Sequence, residues 1–420
     1  MKRRAFLRGA GVVTVTVVGG GVWRAYDQGV FSVGEGSAYE PWKDWGDSHN
    51  GRNGGNDGPL ALVRAAILAA SPHNTQPWLF KIADSSIELR IDTQRNVGAL
   101  DPYLREEHIG MGCALENLML AAPANGYVAT AALVPGTLSP GILGAIPAEP
   151  RTQLVARVNL APGKREEKDL YDDFYKDMYK DLYKDLYNAI PRRHTNRGPY
   201  DPHKPIPADF LEELVRLPGD DADVKLFLFT AEEDRKKIAE VSSAANTEIY
   251  SDPDVQKGSE RWVRLKWSAV QEHRDGLTID AFGLPPIASA AAKMMTPGML
   301  RWAGAHSGKN GYSNLMLSAP LIGFIAVRDR YGREQCLRAG RIWQRAHLLA
   351  TARGLAARPC NEAVEMVDHE RALGRAASRA RLLNEITGDA TWQPTFVFYM
   401  GYPTLAAHAS PRRAVQAVLA

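Results

Sequence analysis

Two stretches of the chain echo each other, and they restrict the folds open to it more than any other feature. Gly112-Cys113-Ala114-Leu115-Glu116-Asn117-Leu118-Met119-Leu120-Ala121 runs on to Gly126-Tyr127. Gly340-Arg341-Ile342-Trp343-Gln344-Arg345-Ala346-His347-Leu348-Leu349-Ala350 runs on to Gly354-Leu355. Each has a small-residue start, an apolar run and a glycine at the matching offset. Glycine readily takes the left-handed conformation that ends a helix. Apolar helices are therefore predicted over 108–126 and 339–354, and the echo suggests two copies of one module.

The pattern around them mixes helix and strand. Leu60, Val63, Ile67 and Leu68 recur at helical spacing from Pro59 until Ser71-Pro72. Alternation predicts a hairpin of strands over 78–82 and 87–91, and another strand over 154–160. A second set follows: helix 208–217, strand 224–229, helix 232–244, buried strand 319–327 and strand 395–400. Residues 255–310 read as helical without a clear strand, with a break at Leu284-Pro285-Pro286. The order lacks the regular strand-helix-strand alternation of a doubly wound sheet, so the expected class is α+β. A chain of 420 residues with 45% hydrophobic content has material for two such modules. They are placed at 59–160 and 161–420.

The chain opens Met1-Lys2-Arg3-Arg4-Ala5-Phe6-Leu7-Arg8, followed by an uncharged segment from Gly9 to Val22 that contains five glycines. A charged start, a short apolar middle and a polar continuation are the layout of an export signal, assigned to 1–32. Arg3-Arg4 before Phe6-Leu7 resembles a twin-arginine signal. That resemblance implies the twin-arginine export machinery as a partner and a periplasmic location. No A-x-A site follows Val22, so retention by an uncleaved segment stays open. The route carries folded proteins, which raises the expectation of a bound cofactor. Residues 33–58, rich in Gly, Asn and Asp, read as an irregular spacer.

Lys168 to Tyr187 holds five tetrads, KDLY, DDFY, KDMY, KDLY and KDLY. Four residues advance about 400° on a helix, so Tyr171, Tyr175, Tyr179, Tyr183 and Tyr187 form one slowly winding stripe. The tetrads read as an expansion that lengthened an amphipathic helix, with a tyrosine recognition surface as the alternative. A net charge of +3 gives no electrostatic case for nucleic acid. No run of about 20 apolar residues is present for a membrane span. Cys113, Cys336 and Cys360 are too few for a disulfide scaffold and are expected to be buried thiols. The histidines show no HExxH spacing, and Asp368-His369-Glu370 reads as a helix start rather than a metal site.

The most specific local signal is Ser71-Pro72-His73-Asn74-Thr75-Gln76-Pro77-Trp78. Asn and Gln offer donors and acceptors suited to the edge of a heteroaromatic ring, and an Asn/Ser turn before a strand accounts for them equally well. Its Ser-x-x-Asn-x-Gln-Pro-Trp pattern resembles the flavin-site signature of the nitroreductase family. Pro191-Arg192-Arg193-His194-Thr195-Asn196-Arg197 resembles the Arg-x-Ser-x-Arg/Lys element of that family. Residues 354–361, ending Pro359-Cys360-Asn361, resemble the loop that lies against the flavin ring. Residues 396–403 with Ser410-Pro411-Arg412-Arg413 resemble the final strand, its Gly-Tyr-Pro turn and the terminal Arg segment. The resemblance spans roughly residues 60–418. It is strongest to the fused, double-length branch that includes Acg-like proteins, to which 101–106 and 193–197 fit especially well.

The resemblance implies FMN as cofactor. The cofactor-binding set it implies is Ser71, Asn74, Gln76, Arg193, Thr195, Arg197, Pro359, Cys360, Asn361, Arg412 and Arg413. Guanidinium groups suit a phosphate. The Ser71 motif occurs in the first half only, and the 193–197, 359–361 and 412–413 elements in the second half only. One complete set can be assembled but its mirror image cannot, which implies a fused pseudo-dimer with one site between two half-modules. Members of the family are normally dimers, so fusion is compatible with a monomer. The implied activity is FMN-dependent reduction of nitroaromatic, quinone or related small-molecule acceptors, with NAD(P)H as donor. The alternative is a flavin-binding or storage protein with a closed site and no NAD(P)H turnover. The flavin carries the difficult chemistry, so no catalytic side chain is assigned. Residues 255–310 are the candidate cover.

Overall fold

In the computed structural model, residues 22–49, 58–141, 151–163, 180–296, 299 and 308–420 are described. Most of the export segment and the tetrads before Lys180 lie outside them. The helices are α1 (Glu40–His49), α2 (Pro59–Ala66), α3 (Arg105–Ala124), α4 (Lys180–Ala189), α5 (Ala208–Arg216), α6 (Glu232–Ile249), α7 (Pro253–Glu260), α8 (Trp267–His273), α9 (Pro286–Met294), α10 (Gly308–Leu317), α11 (Arg333–Ala352), α12 (Glu362–Ala372) and α13 (Ser378–Thr387). No helix among the described residues is long and apolar enough to cross a membrane.

Two antiparallel sheets divide the chain. The first holds β1 (Trp78–Ala83), β2 (Ser86–Asp92), β3 (Tyr127–Leu133) and β4 (Thr152–Pro162), in the order β1-β2-β4-β3. The second holds β5 (Val224–Phe229), β8 (Leu321–Val327), β9 (Ala356–Pro359) and β10 (Gln393–Gly401), in the order β5-β8-β10-β9. A short parallel pair, β6 (Val263–Arg264) with β7 (Leu277–Thr278), stands apart. The class is α+β. All seven residues of β8 are buried, because this strand is covered on both faces and carries no alternation.

The two echoing helices, α3 and α11, pack together at the centre. A methyl added at Gly112 would sit 2.1 Å from the Leu337 carbonyl oxygen, and one at Gly340 would sit 2.0 Å from the Ile109 carbonyl oxygen. Only glycine at both positions lets the backbones meet this closely. The helices join one continuous core that takes Leu62, Trp78 and Leu115 from the first half and Leu337, Trp343 and Phe398 from the second. The C-terminal residues return to the first sheet, where Leu419 bridges Phe80 and the Ala420 amide donates to the Phe80 carbonyl. A cut at 160/161 therefore marks no boundary in the core.

Several expectations need correction. The spacer contains α1, whose preceding turn buries Ala38 and Tyr39 against Val270. Residues 255–310 contain the β6–β7 pair, too short for an alternation signal. β3 and β9 escaped because one is rich in alanine and the other has four residues. Asp368-His369-Glu370 lies in the second half of α12, not at a helix start. Within α4, Leu182, Tyr183, Leu186 and Tyr187 are buried while Lys184 is exposed. These last tetrads thus form an ordinary packed amphipathic helix rather than a recognition surface.

Candidate functional site

The 71–78 loop is tied to distant parts of the chain. His73, Asn74 and Gln76 have φ of 44°, 56° and 51°, a region that residues other than glycine occupy rarely. Each such residue costs about 1–3 kcal/mol and persists only where its surroundings over-determine it, as they do here. The Gln76 amide donates to Ser71 Oγ at 3.0 Å, and His73 Nε2 meets Ser259 Oγ at 2.8 Å. Asn74 Nδ2 donates to the carbonyls of Gly276 (3.1 Å) and Pro411 (2.9 Å). Gln76 Nε2 donates to the Arg274 carbonyl at 2.8 Å, and its Oε1 accepts from the Arg413 amide at 2.8 Å. The loop thereby clamps both the C-terminal segment and the segment around 274–276.

Beside this clamp lies a cavity enclosing about 1220 Å³ of non-protein space, part of it open to solvent. Arg193, Arg197 and Arg412 line it together. Arg193 and Arg412 are each only 2% exposed. Arg193 donates to the Leu68 carbonyl (3.0 Å) and meets His347 Nδ1 (3.3 Å). Arg412 donates to Asn74 Oδ1 (2.6 Å) and to the Ala69 carbonyl (3.1 Å). Neither is paired with a carboxylate among the described residues, and the Nε of each is buried without a hydrogen-bond partner. Burial lowers the Arg193 pKa to about 10, and burial with repulsion from Arg193 lowers that of Arg412 well below the usual value. Burial, then Arg193 and Arg412, push His194 down to about 3. This wall is electropositive and short of anions.

Trp42 completes it from the expected spacer. Its Nε1 donates to the Ser410 carbonyl at 2.8 Å, its ring lies 4.7 Å from that of His194, and the Arg412 guanidinium sits 4.6 Å from its centroid. Another wall carries Glu106 from the first turn of α3 and Glu362 and Glu365 from the first turn of α12. Leu277 and Phe282, from the expected cover, also face the cavity.

Of the residues singled out from sequence, Ser71, Asn74, Arg193, Thr195, Arg197, Pro359, Asn361 and Arg412 line this one cavity. Gln76, Cys360 and Arg413 do not. Gln76 spends both ends of its amide on backbone groups. Arg413 donates to the Gln76 carbonyl at 3.1 Å. Cys360 is buried against Tyr312 Oη (2.7 Å) and Met316 Sδ (3.7 Å). These three are corrected from lining to supporting positions. Asn74 is on the wall, but its bonds go to Arg412 and two carbonyls, so it orients the guanidinium. Trp42, Glu106, Arg358 and Glu365 also line the cavity but were not singled out: Glu106 and Arg358 lie within recognised stretches without having been picked from them, and Trp42 and Glu365 stand outside any motif. All three cysteines are buried and free, and no metal-binding group of His, Cys, Asp and Glu occurs among the described residues.

No family model matches the chain. Part of the chain resembles two curated proteins of Mycobacterium tuberculosis. It is 33% identical over 90 residues to "Putative NAD(P)H nitroreductase acg", covering 21% of this chain and 27% of that protein. The chain is also 29% identical over 113 residues to "Putative NAD(P)H nitroreductase Rv3131", covering 26% of this chain and 33% of that protein. The chain thus spans a third or less of the length of these relatives. Among solved structures, an FMN-dependent nitroreductase NfnB of Mycobacterium smegmatis in complex with NADPH aligns at 17% identity, over 56% of this chain and 97% of that one, with a TM-score of 0.36. A nitroreductase with bound FMN from Bacteroides fragilis aligns at 14% identity, over 52% and 88%, with a TM-score of 0.29. Taken with the 71–78 motif, these partial likenesses support a nitroreductase family for the chain.

Proposed function

We propose that the chain is an FMN-dependent oxidoreductase that uses NAD(P)H to reduce nitroaromatic, quinone or related acceptors. The observation that carries this reading is the pair of buried, carboxylate-free guanidiniums, Arg193 and Arg412, on one cavity wall. A buried charge without a counter-ion is costly, and a phosphate supplies the missing acceptors. The residues present therefore fit the group. Arg193 and Arg412 would hold the phosphate, Asn74 and Trp42 fix Arg412, and 71–74, Thr195, Arg197, Pro359 and Asn361 border the ring. When bound, FMN supplies the two-electron transfer that the side chains here cannot perform. The protein orients it, excludes water and sets its charge environment. The closed storage reading is not carried forward, since the curated relatives are named as reductases.

The arrangement supports a fused pseudo-dimer with one surviving site, because Ser71 and Asn74 come from the first half and Arg193 and Arg412 from the second. Export by the twin-arginine route rests on residues 1–22 alone. The direct test is the visible spectrum of the desalted full chain, followed by anaerobic NADPH. A flavin spectrum that bleaches, and an acceptor that restores it, supports the reading. A protein that neither holds nor retains added FMN overturns it.

A further inference from the structure

Beside Arg358, which interacts with Glu362, the cavity lining also gathers three carboxyls, Glu106, Glu362 and Glu365. Glu106 and Glu365 line the cavity and are each 6% exposed. Glu365 Oε2 is buried without a hydrogen-bond partner. Glu106 Oε1 accepts from Arg105 Nη2 at 3.3 Å, but Arg105 Nε is already committed to Asp368 at 2.7 Å. Arg330 is committed to Asp368 as well, at 2.8 Å. Glu362 accepts from the Tyr312 hydroxyl at 2.5 Å. Asp101, Glu362 and Asp368 oppose ionisation of the pair and Arg105 favours it, while Arg358 on the same cavity lining acts on Glu362 and Tyr250. Carboxylates crowded in a dry site cannot all ionise. Both carboxyls sit in the first turn of a helix, which favours the anion, but burial and mutual repulsion oppose it. Burial, reinforced by Asp101 and Asp368 against Arg105, pushes Glu106 up to about 8, and burial with Glu106 pushes Glu365 well above its usual value.

We propose that Glu106 and Glu365 form a proton-holding pair that protonates the acceptor as it is reduced. The inference rests on the oxidoreductase reading above. For a quinone the balance is as follows. Bound FMN would supply hydride, two electrons with one proton, and the pair would supply the second proton. One carboxyl O–H bond breaks, the second O–H bond of the hydroquinone forms, and the carboxylate left behind regains its proton from water at the cavity mouth. Glu106 closes the 101–106 stretch noted in the sequence, whereas Glu365 stands among ordinary helix-start acids.

The test combines infrared spectroscopy with half-reaction kinetics on the full chain and its Glu106→Gln and Glu365→Gln variants. At pH 7, with or without flavin, the full chain is expected to show the carbonyl stretch of a neutral buried carboxylic acid, lost or shifted in either variant. The variants are expected to keep their flavin and their rate of reduction by NADPH. Their oxidation by a quinone slows roughly 100-fold, the range of general acid catalysis, and loses its dependence on pH. Absence of the neutral-acid band, or quinone reduction by both variants at the parent rate, overturns the proposal. If the chain holds no flavin, the oxidoreductase reading fails, and the infrared band still decides whether the pair holds a proton. Glu365→Met, which removes the acid but keeps the side-chain length, serves if a glutamine variant does not fold.

Discussion

Arg193 and Arg412 sit where unpaired guanidiniums weaken the empty protein, so their replacement separates stability from binding. Arg193→Met and Arg412→Met should leave the flavin-free protein as stable as the parent or more so. Each should also lose a charge-assisted contact worth about 1.5–3 kcal/mol, roughly a ten- to hundredfold loss in FMN affinity. Thermal melts with and without FMN, and a fluorescence titration, check both halves; unchanged affinity in both variants removes the phosphate assignment. Asp368 behaves in the opposite way. It is fully buried between Arg105 and Arg330 and accepts the Tyr331 hydroxyl at 2.9 Å. Burial pushes its pKa up, but Arg105 and Arg330 pull harder and hold it below the usual carboxylate value. A lowered folded pKa gives stability that is complete above the unfolded value and lost as pH falls through the folded one. Asp368→Asn leaves two buried cations short of their anion, so denaturant melts at pH 7 should show a loss of about 3–5 kcal/mol. The difference from the parent should shrink in strong acid.

At the scale of elements, the α3–α11 contact decides the architecture. Besides the two glycines it holds polar groups: Glu116 accepts from Arg341 Nε (2.7 Å) and Arg345 Nε (2.6 Å), and Gln344 donates to Asn117 at 2.8 Å. Alanine is the better helix former by about 0.5–1 kcal/mol. At Gly340, however, its methyl would meet the Ile109 carbonyl at 2.0 Å, and overpacking typically costs about 1–3 kcal/mol. Gly340→Ala should therefore lower the melting temperature and the flavin content together; a variant as stable as the parent would show that the helices have room to part. The same pair shows what was legible in the sequence. Apolar periodicity and the glycines located both helices, but each starts earlier than expected, at Arg105 and Arg333. Arg105, Glu106 and Glu107 are ionisable yet buried; Arg105 is satisfied by Asp368 and Thr395 far along the chain, and no local pattern records such a partner. The hairpin β1–β2 was legible because its alternation is local. α1 was not, since its Gly- and Asp-bearing sequence has the composition of a loop.

At the scale of the whole molecule, the site depends on the closure of the chain upon itself. Motif residues were legible one by one, whereas the convergence of Ser71, Arg193, Glu365, Trp42 and Arg412 on one cavity follows only from the shared core. The C-terminal segment binds the two halves together. The Arg412 amide donates to the Ala38 carbonyl, the Pro411 carbonyl accepts from Asn74, and Leu419 pairs with Phe80. Truncation after residue 410 should leave a folded core but abolish flavin retention on desalting; a truncated chain that keeps its flavin would move the phosphate site elsewhere. The most direct measurement is the flavin content of the desalted full chain, set beside that of Arg193→Met and Arg412→Met. The expected result is one FMN per chain, falling sharply in both variants. A chain that holds no flavin, or binds two, would contradict a single cofactor site built between the halves.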